Sequence, residues 1–164
     1  MPIEASADWR ADLGGGTTIA LIQAGTFASD AGTLLGPVPR VMWDHLVADE
    51  IDPDHSITQA LNCLLVETPS GRVLVETGIG ERMDDHHIAQ RGVRGQPILP
   101  SLRADGFDPA SIDYVALSHL HFDHAGGLLT TEGEYAFPNA RIVAQADEWD
   151  FAMGTNPRLV ASYE

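Results

Sequence analysis

The feature that most constrains this chain is the run Ser118-His119-Leu120-His121-Phe122-Asp123-His124-Ala125-Gly126-Gly127, which sets three imidazoles and a carboxylate within six consecutive positions. It follows directly on the apolar segment Tyr114-Val115-Ala116-Leu117, so the fold must deliver this loop from the end of a strand. Neutral imidazole and carboxylate are the ligands that Zn²⁺ takes, and imidazole also suits Fe, Ni and Cu, so the pattern specifies a metal site before it specifies an element. Side chains two apart in extended chain fall on one side, so His119, His121 and Asp123 are expected to converge. A turn after Asp123, permitted by Ala125-Gly126-Gly127, would bring His124 in from the other side. Grouped as His119 with His121 and Asp123 with His124, the donors suit two adjacent metals better than one.

Composition narrows the partners. The 164 residues have the length of one domain, and 44% hydrophobic with 20% charged residues is ordinary for a globular protein. With 9 Lys and Arg against 24 Asp and Glu, the formal charge of −15 argues against nucleic acid and against an anionic membrane, both of which are held by clustered cations. Cys63 is the only cysteine, which excludes an intrachain disulfide and a Cys-based zinc site, and a reducing, cytoplasmic setting is expected. In Leu61-Asn62-Cys63-Leu64-Leu65-Val66 that thiol reads as a small buried apolar group. The segment Met1 to Gly16 carries Glu4, Asp8 and Asp12 without an apolar core and does not read as a secretory signal, and no window is long and apolar enough to span a membrane.

Along the chain, residues 17–27 read as a first strand, with a loop over 28–32 and a break at Gly36-Pro37-Val38-Pro39. Residues 60–68 and 72–77 flank the turn Pro69-Ser70-Gly71 and are expected to form a β-hairpin. Residues 81–91 suggest an exposed helix, 98–104 a short amphipathic helix ending near Gly106, 139–145 a further strand and 147–153 a short acidic and aromatic helix. Strands dominate the first half and alternate with helices in the second. The expected class is therefore layered α/β (α+β layered), with helices covering sheet faces. Trp43, Met42 and Phe27 are read as core.

Taken together, His119-Leu120-His121-Phe122-Asp123-His124 resembles the His-Xaa-His-Xaa-Asp-His signature of the metallo-β-lactamase superfamily. Further likeness lies in Asn62-Cys63-Leu64-Leu65-Val66-Glu67-Thr68, Val73-Leu74-Val75-Glu76-Thr77-Gly78-Ile79-Gly80, Phe137-Pro138-Asn139-Ala140 and Glu148-Trp149. In wording the chain is most similar to the branch containing the quorum-quenching N-acyl homoserine lactonases, over about Gly32 to Trp149. The resemblance implies that His119 and His121 bind a first metal and Asp123 and His124 a second, with two divalent ions, most simply Zn²⁺, although Fe, Mn or Co would serve. It also implies three further ligands from later segments, a His, a bridging Asp and a second His, whereas no His follows His124. The superfamily fold is a four-layered αβ/βα sandwich of two similar halves. Residues 1–164 are accordingly expected to be a single metallo-β-lactamase-like domain, incomplete at the C-terminus and representing the first half. Such a half would leave one apolar sheet face uncovered, which suggests a homo-oligomer or a completing second polypeptide. Glu76 stands where the family pattern has Asp, in a position that orients the motif loop.

The activity so implied is that of a metallo-hydrolase in which a hydroxide bridging two metals attacks a lactone such as an N-acyl homoserine lactone, and Asp123 carries the proton to the leaving alkoxide. A glyoxalase II-like thioesterase shares the metal motif. A diiron oxygen-reducing relative would place Glu where His121 stands. A non-catalytic metal-binding or dimerising half-domain is the reading from a different class. The remaining histidines are read as peripheral: His86 and His87 point in different directions on a polar segment and read as solvent-exposed, within reach of a cleft mouth, and His45 and His55 flank the acidic stretch 49–54 on a surface loop.

Overall fold

The computed structural model describes residues 9–154 and 162–163. Strands β1 (Arg10–Gly14), β2 (Thr17–Asp30), β3 (Ser56–Thr68), β4 (Gly71–Val75), β5 (Tyr114–Ala116) and β6 (Arg141–Val143) form one sheet in chain order. β1 to β4 pair antiparallel, whereas β4, β5 and β6 run parallel. Helices α1 (Ala31–Leu35) and α2 (Arg40–Trp43) lie between β2 and β3, and α3 (Asp85–Gln90) and α4 (Ile98–Ala104) occupy the crossover from β4 to β5. α5 (Phe122–Ala125) comes after β5, and α6 (Ala146–Ala152) after β6. This is the layered α/β arrangement expected from the sequence.

Alternation along the two long strands fixes which face is buried. Ile22 pairs with Cys63 and Ala20 with Leu65, and the Leu65 row continues through Leu74 to Val115. All six side chains are at most 7% exposed. Over them α4 lays Ile98, Leu99 and Leu102, three positions of one helical stripe, joined by Phe107, Ile112 and Phe137. Each such aliphatic side chain contributes roughly 1.5–3 kcal/mol by leaving water. α4 begins after Pro97 and stops before Gly106, whose φ of 85° a side chain would disfavour. The opposite face carries Ile19, Leu21, Leu64, Val66, Val73, Val75 and Ala116, which are only partly buried.

Three expectations need correction. The segment before Thr17, to which the sequence reading assigns no strand, supplies β1, which pairs with β2 as the edge of the sheet. Its exposed residues carry no apolar alternation from which a strand could be read. Phe27 is core at 4% exposure, but Met42 is 60% exposed and Trp43 is only partly buried, donating its Nε1–H to the Val38 carbonyl at 3.0 Å. They fail as core because residues 36–47 are a loop with one helical turn and not a strand. Finally, the hairpin begins four residues earlier than expected, at Ser56 instead of Ala60, because β3 extends along the whole of β2.

Cys63 is the buried apolar group its context suggested, at 1% exposure. Burial first, and the nearby Glu76 charge second, push its thiol from 9.0 to about 12. At pH 8 it should therefore resist a thiol reagent in the native protein and react at once in denaturant. Because the folded value is raised, stability is fully present below pH 9 and declines as pH rises from there toward about 12. Rapid native-state labelling at pH 8, monitored by mass spectrometry, would contradict the buried position.

Candidate metal centre

Three parallel strands end side by side, and the chain leaving each one contributes to a single locality. Glu76 and Thr77 follow β4, Ser118 to His124 follow β5, and Glu148 stands on α6 beyond β6. Such a cleft at the carboxyl ends of parallel strands is where open α/β sheets place their ligands. Glu76 adopts φ 67°, rare for a residue with a side chain, and is held there by its N–H donating to the Ala116 carbonyl at 3.0 Å. Its Oε1 accepts from the Ser118 amide at 3.0 Å, and its Oε2 lies 3.2 Å from His124 Nδ1. One carboxylate thus accepts the amide at the start of the loop and stands against the imidazole at its end.

The structure brings His119, His121, Asp123 and His124 together, though not by the route expected. The extended chain ends at His121, with φ −62° and ψ 152°, and the turn of α5 begins at Phe122, before Asp123 and not after it. Alternation therefore aligns only His119 with His121, whose ring centroids are 4.5 Å apart, while the helical turn carries His124 to 4.0 Å from His119. The early turn has a definite cause. Thr77 donates both its backbone N–H and its hydroxyl to the His124 carbonyl, each at 2.8 Å, and its hydroxyl oxygen accepts from the Gly127 amide at 3.1 Å. Thr77 is fully buried, and sequence reasoning assigned it no role because its partners lie roughly fifty positions away.

Charge in the cluster is balanced internally. Burial lowers the His119 pKa, helped by His124 and His121 beside it, and so favours the neutral imidazole that binds metals. His124 is raised, first by its hydrogen bond to Asp123, whose Oδ2 lies 3.4 Å from Nε2. Burial pushes Asp123 up, but the His124 interactions outweigh it and hold the carboxyl below its usual range. Ser118 Oγ stands 2.9 Å from His119 Nδ1.

Whether these groups fit a metal can be tested on two observations. Glu76 Oε2 and His124 Nδ1 are buried yet not aligned as a hydrogen bond, and His124 is flanked by two carboxylates, an arrangement whose charge is compatible with a cation. The donor chemistry also fits, since carboxylate–histidine pairs orient metal-binding imidazoles. Among the described residues, however, no three His, Cys, Asp or Glu side chains are gathered to hold a single ion. The peripheral histidines stay outside: His45, His55 and His86 are exposed, and His87 Nδ1 pairs with Asp84 Oδ2 at 2.8 Å.

Two hollows adjoin the cluster. A small one of about 210 Å³ lies between Phe27, Asn62, Cys63 and the Glu76–Asp123–His124 group. The larger, about 800 Å³, opens on the other side of α5 and is lined by Ile79, Met83, Phe122, Leu128, Ile142 and Trp149 among others, with Arg82, Asp84, His87 and Arg91 as polar members. His87 thus reaches the mouth of a cleft. No helix among the described residues is long and apolar enough to cross a membrane.

Known proteins resemble this chain in sequence and in fold. An N-acyl homoserine lactonase of Bacillus thuringiensis is 34% identical over 130 residues, covering 71% of this chain and 49% of its own length. The chain thus spans about half the length of the curated relatives it matches. Among solved structures, a probable metal-dependent hydrolase from Staphylococcus aureus superposes with a TM-score of 0.83 at 29% identity, covering 92% of this chain and 54% of that one. The dizinc quorum-quenching lactonase AidC, in complex with a product N-hexanoyl-L-homoserine, superposes at 0.74 with 28% identity, covering 91% and 48%. Residues 59–155, which run from β3 through the histidine loop to the end of α6, match the family model itself, and the chain belongs to the metallo-beta-lactamase superfamily.

Proposed function

We propose that this protein is a metal-dependent hydrolase of lactones, with N-acyl homoserine lactones as the substrate class. The observation that carries this reading is the pairing of a His119–His121–Asp123–His124 donor cluster with an apolar cavity of about 800 Å³ sharing the short helix α5. Asp123 and His124 line the hollow on one side of that helix, and Phe122 and Ala125 line the cavity on the other. A polar, hydrolysable ring and an apolar acyl tail are the two halves of such a substrate, and the two sides of α5 suit them.

His119 and His121 would hold one divalent ion, and Asp123 and His124 a second. When bound, the ions supply activation of water and polarisation of the carbonyl. The chain's own residues do the rest. Glu76 accepts the Ser118 amide and stands 3.2 Å from the His124 ring, and Thr77 holds the His124 carbonyl. Asp123, partly buried and ionised, would accept the proton that the attacking water loses and pass it to the leaving alkoxide. Phe122, edge-on to Phe27 at 5.9 Å and beneath the Arg91 guanidinium at 4.1 Å, presents a firm apolar wall to the tail.

The test is hydrolysis by the intact, zinc-loaded protein of N-hexanoyl and N-decanoyl homoserine lactones against an S-acyl thioester. Lactone turnover should dominate. Each methylene buried in the cavity is worth about 0.8 kcal/mol, or roughly fourfold in kcat/KM, so the longer lactone should be preferred and Phe122→Ala should narrow that preference. Thioester turnover exceeding lactone turnover would replace this reading with the glyoxalase II-like one.

A further inference from the structure

Glu148 reaches back from α6 to the histidine loop across 28 positions of sequence, and its Oε1 accepts the Leu120 amide at 2.9 Å. Leu120 lies between His119 and His121, so this hydrogen bond grips the one stretch of loop that is extended and contributes two imidazoles to the same side. The same oxygen accepts the Tyr163 hydroxyl at 3.0 Å, and the Tyr163 ring stands edge-on to His121 at 4.8 Å. The backbone of Glu148 is fixed separately: its amide donates to the Gln145 side chain at 2.8 Å, closing the first turn of α6 by a bond in which the carboxylate takes no part. The remainder of the loop is tied down by Glu76 and Thr77, whose hydrogen bonds fall on Ser118 and His124, on either side of the span from His119 to His121.

We propose that Glu148 is a positioning residue for the metal centre: its carboxylate, through the Leu120 amide, sets the separation and orientation of the His119 and His121 rings. The inference rests on reading those two histidines as metal ligands. A backbone amide midway between two ligands is an efficient place to fix both, since rotation about the flanking bonds would swing the two rings together. A carboxylate also suits the task better than a neutral acceptor, because a charged hydrogen bond is roughly twice as strong and leaves negative charge close to the cation. Loss of a group that orients ligands in this way costs about 10- to 100-fold in metal affinity.

The experiment compares Glu148→Ala, Glu148→Gln and Gln145→Ala in the intact protein. It reads zinc affinity by competition with a chelating dye and Leu120 amide exchange in the metal-free state by hydrogen–deuterium exchange. The expected result is that Glu148→Ala loses Leu120 protection and binds zinc about 10- to 100-fold more weakly. Glu148→Gln, which retains an acceptor, should keep most of the protection and recover most of the affinity. Gln145→Ala loosens the first turn of α6 without touching Leu120 and should leave affinity nearly unchanged. An equal loss in Gln145→Ala would overturn the proposal by showing that only α6 docking matters. Lost protection with unaltered affinity in Glu148→Ala would overturn it too. Wild-type protein that takes up no zinc while Leu120 remains protected would overturn the ligand reading and, with it, the role given to Glu148.

Discussion

Alanine at His121 is expected to lower zinc content and lactone hydrolysis of the intact protein together, by more than about 100-fold, because even partners that merely orient a ligand cost about 10- to 100-fold. The His121 ring lies 4.5 Å from His119 and 4.8 Å from the Tyr163 ring, so its removal opens the centre of the cluster and leaves His119 without its alternating partner. The fold should survive the change. His121 is only partly buried, and its backbone, which accepts the His124 and Ala125 amides at 3.0 and 2.9 Å to start α5, is unaltered by truncating the side chain. The metal-free variant should therefore melt close to the metal-free wild type, while the stabilisation that zinc gives by binding only the folded state disappears. Elemental analysis after gel filtration and a lactone-opening assay would read the two losses. Full zinc occupancy with unchanged turnover would sink the assignment of His121 as a ligand.

What the sequence made legible follows physical locality. α4 was read to the residue because its apolar stripe, its preceding proline and the glycine beyond its end all lie within a dozen positions. The β3–β4 hairpin was read for the same reason, its turn being written in Pro69-Ser70-Gly71. The concentration of three imidazoles and a carboxylate in residues 119–124 was equally plain, since donor identity is a matter of residue type. The path of the chain through those donors was not, because it is decided by Thr77, about fifty residues away, which captures the His124 carbonyl and starts the turn one residue before Asp123. Glu148 was visible only as a likeness to family wording, since a carboxylate in the first turn of a helix ordinarily reads as part of its cap. β1 was missed because an exposed edge strand needs no apolar alternation, and Met42 was misplaced because a loop residue between strands resembles a strand residue in composition.

That long-range control of the loop predicts a second large effect, at a residue with no functional group. Gly127 is buried where the chain leaving α5 runs against the chain leaving β4, and a Cβ there would collide with the Thr77 carbonyl oxygen. It would also stand 2.9 Å from Ile98 Cγ2 and 3.0 Å from Thr77 Cβ. Neither side can yield cheaply. Thr77 is held by His124, Ile98 is 1% exposed beneath the sheet, and the Gly127 amide is itself committed to Thr77 Oγ1 and the Gly78 carbonyl, each at 3.1 Å. Gly127→Ala should therefore destabilise the protein by about 3 kcal/mol, the upper end of what overpacking a core costs. The loop can relieve the contact only by backing away from Thr77, and doing so breaks the bonds that place His124. Zinc affinity should consequently fall along with the urea midpoint, in contrast to a core truncation such as Ile22→Val, which removes a methyl group on the buried sheet face and should lower the stability by about 1 kcal/mol while leaving zinc affinity intact. If both variants lost stability but Gly127→Ala retained wild-type zinc affinity, close packing behind the loop would not be what positions His124.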